Sequence, residues 1–213
     1  MLPNFSFEEP LWNDKYTVVG IDEVGRGAFA GPVGIGGVVF PPNLSDLEKQ
    51  KLLSLGINDS KKLSPEKREY LAEIIKEKCF SYNISFINVE TINRIGIGKA
   101  AYMGMREVAK SINYKLRTTN LYLLIDAFEI PGLNIPQKGI IHGDTLSISI
   151  AAASIIAKVE RDLLMDKLGI DFPEYGFQAN KGYGTVKHRQ AISRFGVSTN
   201  HRTDFCKKTV SSL

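Results

Sequence analysis

Tyr16-Thr17-Val18-Val19-Gly20-Ile21-Asp22-Glu23-Val24-Gly25-Arg26-Gly27 opens on alternating β-branched and apolar residues, runs into two acids, and leaves through two glycines. The alternation predicts a strand over residues 16–21. A second apolar run over residues 33–40 predicts its neighbour, joined to it through the glycine-rich turn. Further along, Ser64-Pro65-Glu66 supplies a helix cap, a proline at the first helical position and an early acid, so a helix is expected through about residue 78. Residues 80–87, 121–125 and 139–141 read as further strands, and residues 97–115 and 145–168 as helices. Strands alternating with helices favour a layered α/β sheet.

The composition suits a globular chain. It has 213 residues, 43% of them hydrophobic and 23% charged, which is one domain with at most a small appendage. The longest uncharged stretch near the middle, residues 145–157, contains serines and is too short for a bilayer span of about 20 apolar residues. The first residues lack a basic start and an apolar core, so a cytoplasmic protein with no membrane association is expected. Cys79 and Cys206 form no C-x-x-C pair, which argues against a thiolate metal site and for two inert thiols. Pro173 punctuates the chain before a basic tail, placing a soft boundary near residue 170. The net charge of +4 comes from that tail: residues 175–213 hold Lys181, Lys187, Arg189, Arg194, Arg202, Lys207 and Lys208 against Asp204 alone. Aromatic residues are interleaved with these cations, a composition suited to a polyanion with bases or sugars to stack on; a solvated helical face is the plainer reading.

Four acids stand where apolar segments stop: Asp22, Glu23, Asp126 and Asp144. Polar groups at neighbouring strand ends converge on one crevice in open α/β sheets, and carboxylates gathered there repel one another unless a cation neutralises them. Such oxygen-rich sets suit Mg²⁺ or Mn²⁺. Each acid also has a dull role: Asp144 as cap of the long helix, Asp126 in a turn before Pro131, Asp22 or Glu23 as partner of Arg26. Successive side chains on a strand face opposite ways, so for Asp22 and Glu23 to serve one ion the strand must end or bend there. Gly25 and Gly27 permit such a departure.

Among the glycine-rich stretches, neither residues 20–27 nor Gly96-Ile97-Gly98-Lys99 matches a nucleotide-phosphate motif. Gly25-Arg26-Gly27 allows main-chain atoms to approach a ligand beside a planar donor fork, or is simply a tight turn. Asn58-Asp59-Ser60-Lys61-Lys62 offers a hydroxyl and two ammonium groups, and Tyr183 between Gly182 and Gly184 offers an aromatic platform. Ser147, Ala151 and Ser154 form a small-residue stripe on the long helix, read as close packing.

These residues together resemble ribonuclease HII, the type 2 ribonuclease H, on its bacterial branch. The resemblance spans about residues 16–205 and rests on five motifs in family order: residues 20–27, Asp59 to Ser64, Leu124-Ile125-Asp126, Gly143-Asp144 leading into residues 150–158, and Gly182-Tyr183-Gly184-Thr185. It implies a ribonuclease H-like mixed β-sheet flanked by helices, over residues 1–170, with a basic helical C-terminal extension, residues 171–213, packed on it. It further implies that Asp22, Glu23, Asp126 and Asp144 are the catalytic, metal-binding carboxylates, holding two ions of Mg²⁺ or Mn²⁺. Gly25, Arg26 and Gly27 match the loop that reads the ribose 2′-hydroxyl, Tyr183 the tyrosine that stacks on the following deoxyribose, and Ser60, Lys61 and Lys62 the phosphate-contacting segment. Ala127 stands where the family usually has glycine, and His142 where lysine is common.

The expected partners are RNA/DNA hybrids and DNA duplexes containing ribonucleotides, cut by a monomer through metal-assisted hydrolysis to 3′-hydroxyl and 5′-phosphate ends. Two rival classes fit the residues less well. A noncatalytic nucleic-acid-binding module has no use for four acids that repel phosphate, and a two-carboxylate glycosidase has none for the cationic tail.

Overall fold

In the computed structural model the described residues are 2–210; Met1, residues 211–213 and the side chains of 208–210, Lys208 among them, lie outside. The elements in chain order are α1 (Glu8–Asn13), β1 (Thr17–Val24), β2 (Val33–Val39), α2 (Asp46–Ser54), α3 (Pro65–Lys78), β3 (Ser81–Ile87), α4 (Val89–Ile95) and α5 (Ile97–Leu116). They continue with β4 (Leu121–Asp126), β5 (Gln137–Ile140), α6 (Ile148–Asp171), α7 (Phe177–Asn180), α8 (Val186–Phe195) and α9 (Thr203–Val210). Short 3₁₀ turns cover Ser60–Lys62, Gly143–Thr145 and Pro173–Tyr175.

One mixed sheet runs in the order β3-β2-β1-β4-β5. β1 is antiparallel to β2 and parallel to β4. Alternation along β1 sorts its two faces: Val18 joins the core beneath α6, whereas Val19 and Ile21 join the core beneath α5. A Cβ on Gly20 would fall into the backbone of Ser149 and Ile150, so its absence is what lets α6 lie directly on the strand. A third, smaller core of Ala30, Met165, Tyr175, Phe177, Ile192 and Cys206 binds the C-terminal helices to the loop after β1 and to the far end of α6.

Two expectations are corrected. β1 does not end or bend at Asp22 and Glu23 but stays extended to Val24, because its antiparallel ladder with β2 continues through Val24 opposite Gly34. The parallel ladder with β4 stops earlier, at Ile21 opposite Ile125, so the two acids project where one edge of the strand has lost its neighbour. The long helix starts at Ile148, capped by Ser147, whose hydroxyl accepts from the Ile150 amide; Asp144 lies in the preceding 3₁₀ turn and is not its cap.

Candidate active site

Asp22 points to the α6 face and is buried, hydrogen-bonded by Ser154 and by the Glu23 amide. Burial, followed by the nearby charges of Asp126 and Asp144, pushes its carboxyl up to about 8. Asp126, at the end of β4, accepts the Gly143 amide on Oδ1 at 2.8 Å. Asp144 is raised as well, first by burial and then by Asp126 and Asp59, with Lys61 opposing at 4.0 Å. Three aspartates from separate segments are thus electrostatically coupled in one crevice. Glu23 faces the other way, as strand alternation requires: its Oε1 accepts from Arg26 Nη1 at 2.7 Å, and its Oε2 is buried with no hydrogen-bond partner among the described residues. Asp59, whose place in this crevice the sequence did not suggest, is a fifth acid beside Asp144.

The donor set is oxygen throughout, and two of the crevice carboxyls are raised by burial and by the charge of Asp126, a repulsion that a hard divalent cation relieves. Among the described residues no three His, Cys, Asp or Glu side chains are gathered closely enough to hold an ion as they stand. Asp126 is turned onto Gly143 and Glu23 onto Arg26.

Both residues flagged as departures sit in left-handed backbone, Ala127 at φ 66° and His142 at φ 58°. Glycine would hold either conformation without the crowding a Cβ brings, and strain of this kind collects at functional sites. Ala127→Gly is therefore expected to stabilise the protein by about 0.5–1 kcal/mol after the extra chain entropy of glycine is subtracted. Chemical denaturation measures this directly; a lower midpoint would show that the turn is not strained.

The loop residues and the tail meet. The Gly182 carbonyl accepts from the Phe29 and Ala30 amides at 2.8 and 3.1 Å, so the Tyr183 turn is stitched to the loop that begins at Gly25. Lys158 and Arg161 lie 5.8 and 5.7 Å from the centre of the Tyr183 ring. Arg161, buried on α6, donates to the carbonyls of Ala30, Pro32 and Lys181 and so ties the same two segments. Ser60 is buried, its hydroxyl 2.9 Å from that of Ser154, while Lys61 and Lys62 extend into solvent. The small-residue stripe therefore does more than pack: Ser154 links Asp22 to the Ser60 turn.

Beneath Tyr183 lies a buried histidine pair that was assigned no role from the sequence. The Ser198 amide donates to His201 Nδ1 at 2.9 Å, which leaves the His201 proton on Nε2. That proton faces His188 Nε2 at 3.1 Å, and His188 Nδ1 in turn donates to the Tyr183 carbonyl at 2.9 Å. Burial, and then the neighbouring His188, pushes His201 down to about 4. The unfolded chain binds this proton near pH 6.5 and the folded one does not, so stability is complete above about 6.5 and drains away as pH falls toward 4. The loss is on the order of 3 kcal/mol. Melting curves between pH 7 and 4.5 should show a steeper decline in the wild type than in His201→Gln; equal slopes would acquit the pair.

A family model described as Ribonuclease HII matches residues 19–208. Ribonuclease HII of Clostridioides difficile (strain 630) is 46% identical over 202 residues, covering 94% of this chain and 74% of that protein. Ribonuclease HII of Acholeplasma laidlawii (strain PG-8A) is 44% identical over 205 residues, covering 96% and 95%. Among solved structures, the RNase HII of Archaeoglobus fulgidus, determined in complex with PCNA, superposes with a TM-score of 0.67 at 28% identity, covering 92% of this chain and 95% of that one. Bst-RNase HIII in complex with Mn²⁺ superposes with a TM-score of 0.73 at 18% identity, covering 96% and 73%, a likeness of fold.

A mixed sheet of this topology, with acids at the ends of its central strands, defines a ribonuclease H-like hydrolase. The family match and the curated relatives are more specific. The chain belongs to the ribonuclease HII family and is a ribonuclease H endonuclease acting on RNA/DNA hybrids. No helix among the described residues is long and apolar enough to cross a membrane.

Proposed function

We infer that the chain, acting as a monomer, cleaves the RNA strand of hybrids and also incises duplex DNA at single embedded ribonucleotides. The observation that carries this reading is the crevice where Asp22, Asp126 and Asp144 couple beneath exposed Lys61, Lys62 and Arg26: negative where a metal is needed, positive at the rim where phosphates arrive. Two divalent ions held by Asp22, Glu23, Asp126 and Asp144, as Mg²⁺ or Mn²⁺, would supply an activated water and neutralise the leaving oxygen, giving 3′-hydroxyl and 5′-phosphate ends.

The chain's own residues do the rest. Lys61 and Lys62 meet backbone phosphates, with Ser60 anchoring their turn to α6 through Ser154. Gly25, Arg26 and Gly27 approach the ribose, whose 2′-hydroxyl is the group that separates RNA from DNA at a given site. Tyr183, half-buried and held by its carbonyl, offers a ring face to the next sugar.

The test is an end-labelled DNA duplex carrying one ribonucleotide, incubated with Mg²⁺, Mn²⁺ or EDTA. A single cut on the 5′ side of the ribonucleotide is expected, with no cut in all-DNA duplex or in EDTA. Activity surviving EDTA would remove the metal from the mechanism, and cleavage confined to long hybrids would remove the embedded ribonucleotide. Raising salt should weaken duplex binding steeply, since the contacts are largely to phosphates.

A further inference from the structure

Arg202 is fully buried just before α9, and it has no acid for a partner among the described residues. Its Nε donates to the Gly31 carbonyl at 2.9 Å, and its Nη1 donates to the carbonyls of Gly25 and Arg26 at 2.7 and 2.9 Å. Its own amide donates to the Phe29 carbonyl at 2.7 Å, and the Phe205 ring lies 5.6 Å from Cζ. Nη2 is buried with no hydrogen-bond partner among the described residues. A buried cation is costly to keep, and an apolar side chain would fill the same space more cheaply. What an apolar residue cannot do is fix the direction of two successive carbonyls.

That direction has a consequence. The peptides here are trans and planar, so each carbonyl and the amide that follows it point to opposite sides. With the Gly25 and Arg26 carbonyls drawn inward onto Arg202, the amides of Arg26 and Gly27 are turned away from it. Both residues are exposed, and neither amide donates a hydrogen bond among the described residues. Successive free amides of this kind form a nest for an electron-rich oxygen.

We propose that Arg202 is a positioning residue: it holds the Gly25 and Arg26 carbonyls inward so that the two amides that follow them face the substrate as donors to sugar or phosphate oxygens. The role rests on the reading of this loop given under the proposed function. The C-terminal extension thereby shapes the nucleotide-reading surface from behind, beyond adding cations to it.

Arg202→Gln and Arg202→Lys test it on the single-ribonucleotide duplex. In Arg202→Gln, kcat should fall about 30-fold, as the loss of charge-assisted hydrogen bonds to the loop implies, with KM changing less than about threefold. Arg202→Lys, keeping a cation without the planar fork, should recover part of the loss. Mn²⁺ affinity, read from the free-ion electron paramagnetic resonance signal, should be unchanged in both. Wild-type kcat in both folded variants would overturn the proposal.

A second measurement does not depend on either variant folding. In the wild type, the Arg26 and Gly27 amides should exchange hydrogen freely and slow about tenfold or more when the ribonucleotide duplex is added in EDTA. Protection in the free protein, or none on binding, would also overturn it. If the wild type fails to incise the embedded ribonucleotide, the reading of the site is at fault; if it incises and the variants match it, only Arg202 is.

Discussion

Asp126→Asn is expected to lower hybrid cleavage by at least about three orders of magnitude, some 4 kcal/mol of barrier, while leaving the protein more stable than before. The two effects have one cause. Of the neighbouring charges, Asp126 raises both Asp22 and Asp144 the most, so it is the largest single source of repulsion in the crevice at rest. Asparagine keeps an Oδ1 to accept the Gly143 amide, so the turn after β5 is retained. It loses the charge that a divalent ion would neutralise.

The pH dependence follows with a definite sign. Asp22 holds its proton up to about 8 in the folded state and only to about 4 when unfolded, so its contribution to stability is present at low pH and is lost as pH rises through about 8. In Asp126→Asn that decline should be shallower in metal-free buffer, and the melting temperature at pH 8 should rise by a few degrees. A variant no more stable than the wild type in metal-free buffer would mean that Asp126 is not the source of the repulsion in the crevice.

Much of the site was legible because strand-end acids announce themselves locally: apolar runs stop at Asp22, Asp126 and just before Asp144, and the sheet brings those ends together. Helix α3 was equally legible from Ser64 and Pro65. α2 was missed although Ser45 and Glu48 form a full capping box, because its weakly apolar body gave no periodic signal to follow. The error at Asp22 and Glu23 has a different origin. Alternation holds along the strand; what fails is the demand that both acids serve one ion from one face. The structure keeps the strand paired through Val24, so Glu23 lies on the opposite face, against Arg26.

The residues that hold the substrate loop were not legible at all. Arg202 meets Gly25 across 177 positions, Arg161 meets Ala30 across 131, and neither contact leaves a local trace. Buried arginines read from sequence as surface cations, and here Arg202 of the tail and Arg161 of α6 are internal struts. The same holds for His188 and His201, whose paired rings anchor the Tyr183 carbonyl.

The two glycines flanking Arg26 should fail in opposite ways when given side chains. Gly25 sits at φ 78°, and a Cβ there would strike the guanidinium of buried Arg161. Gly25→Ala should therefore cost about 3 kcal/mol or more, combining left-handed strain with overpacking against a side chain that has nowhere to go. Activity is lost in that variant through the fold. Gly27 is exposed, lies outside the left-handed region, and its Cβ would meet nothing within 4 Å. Gly27→Val should melt within about a degree of the wild type and bind Mn²⁺ with unchanged affinity, since no carboxylate is disturbed. Its cleavage should still fall by about a hundredfold or more, because the isopropyl group occupies the open side from which a sugar would approach the main chain, and small misplacements of the reacting bond are costly. The contrast separates two reasons for a glycine that look identical in a sequence. If Gly27→Val cleaves at the wild-type rate, the substrate does not come near this loop, and the ribose-reading role assigned to residues 25–27 has to be placed elsewhere on the crevice rim.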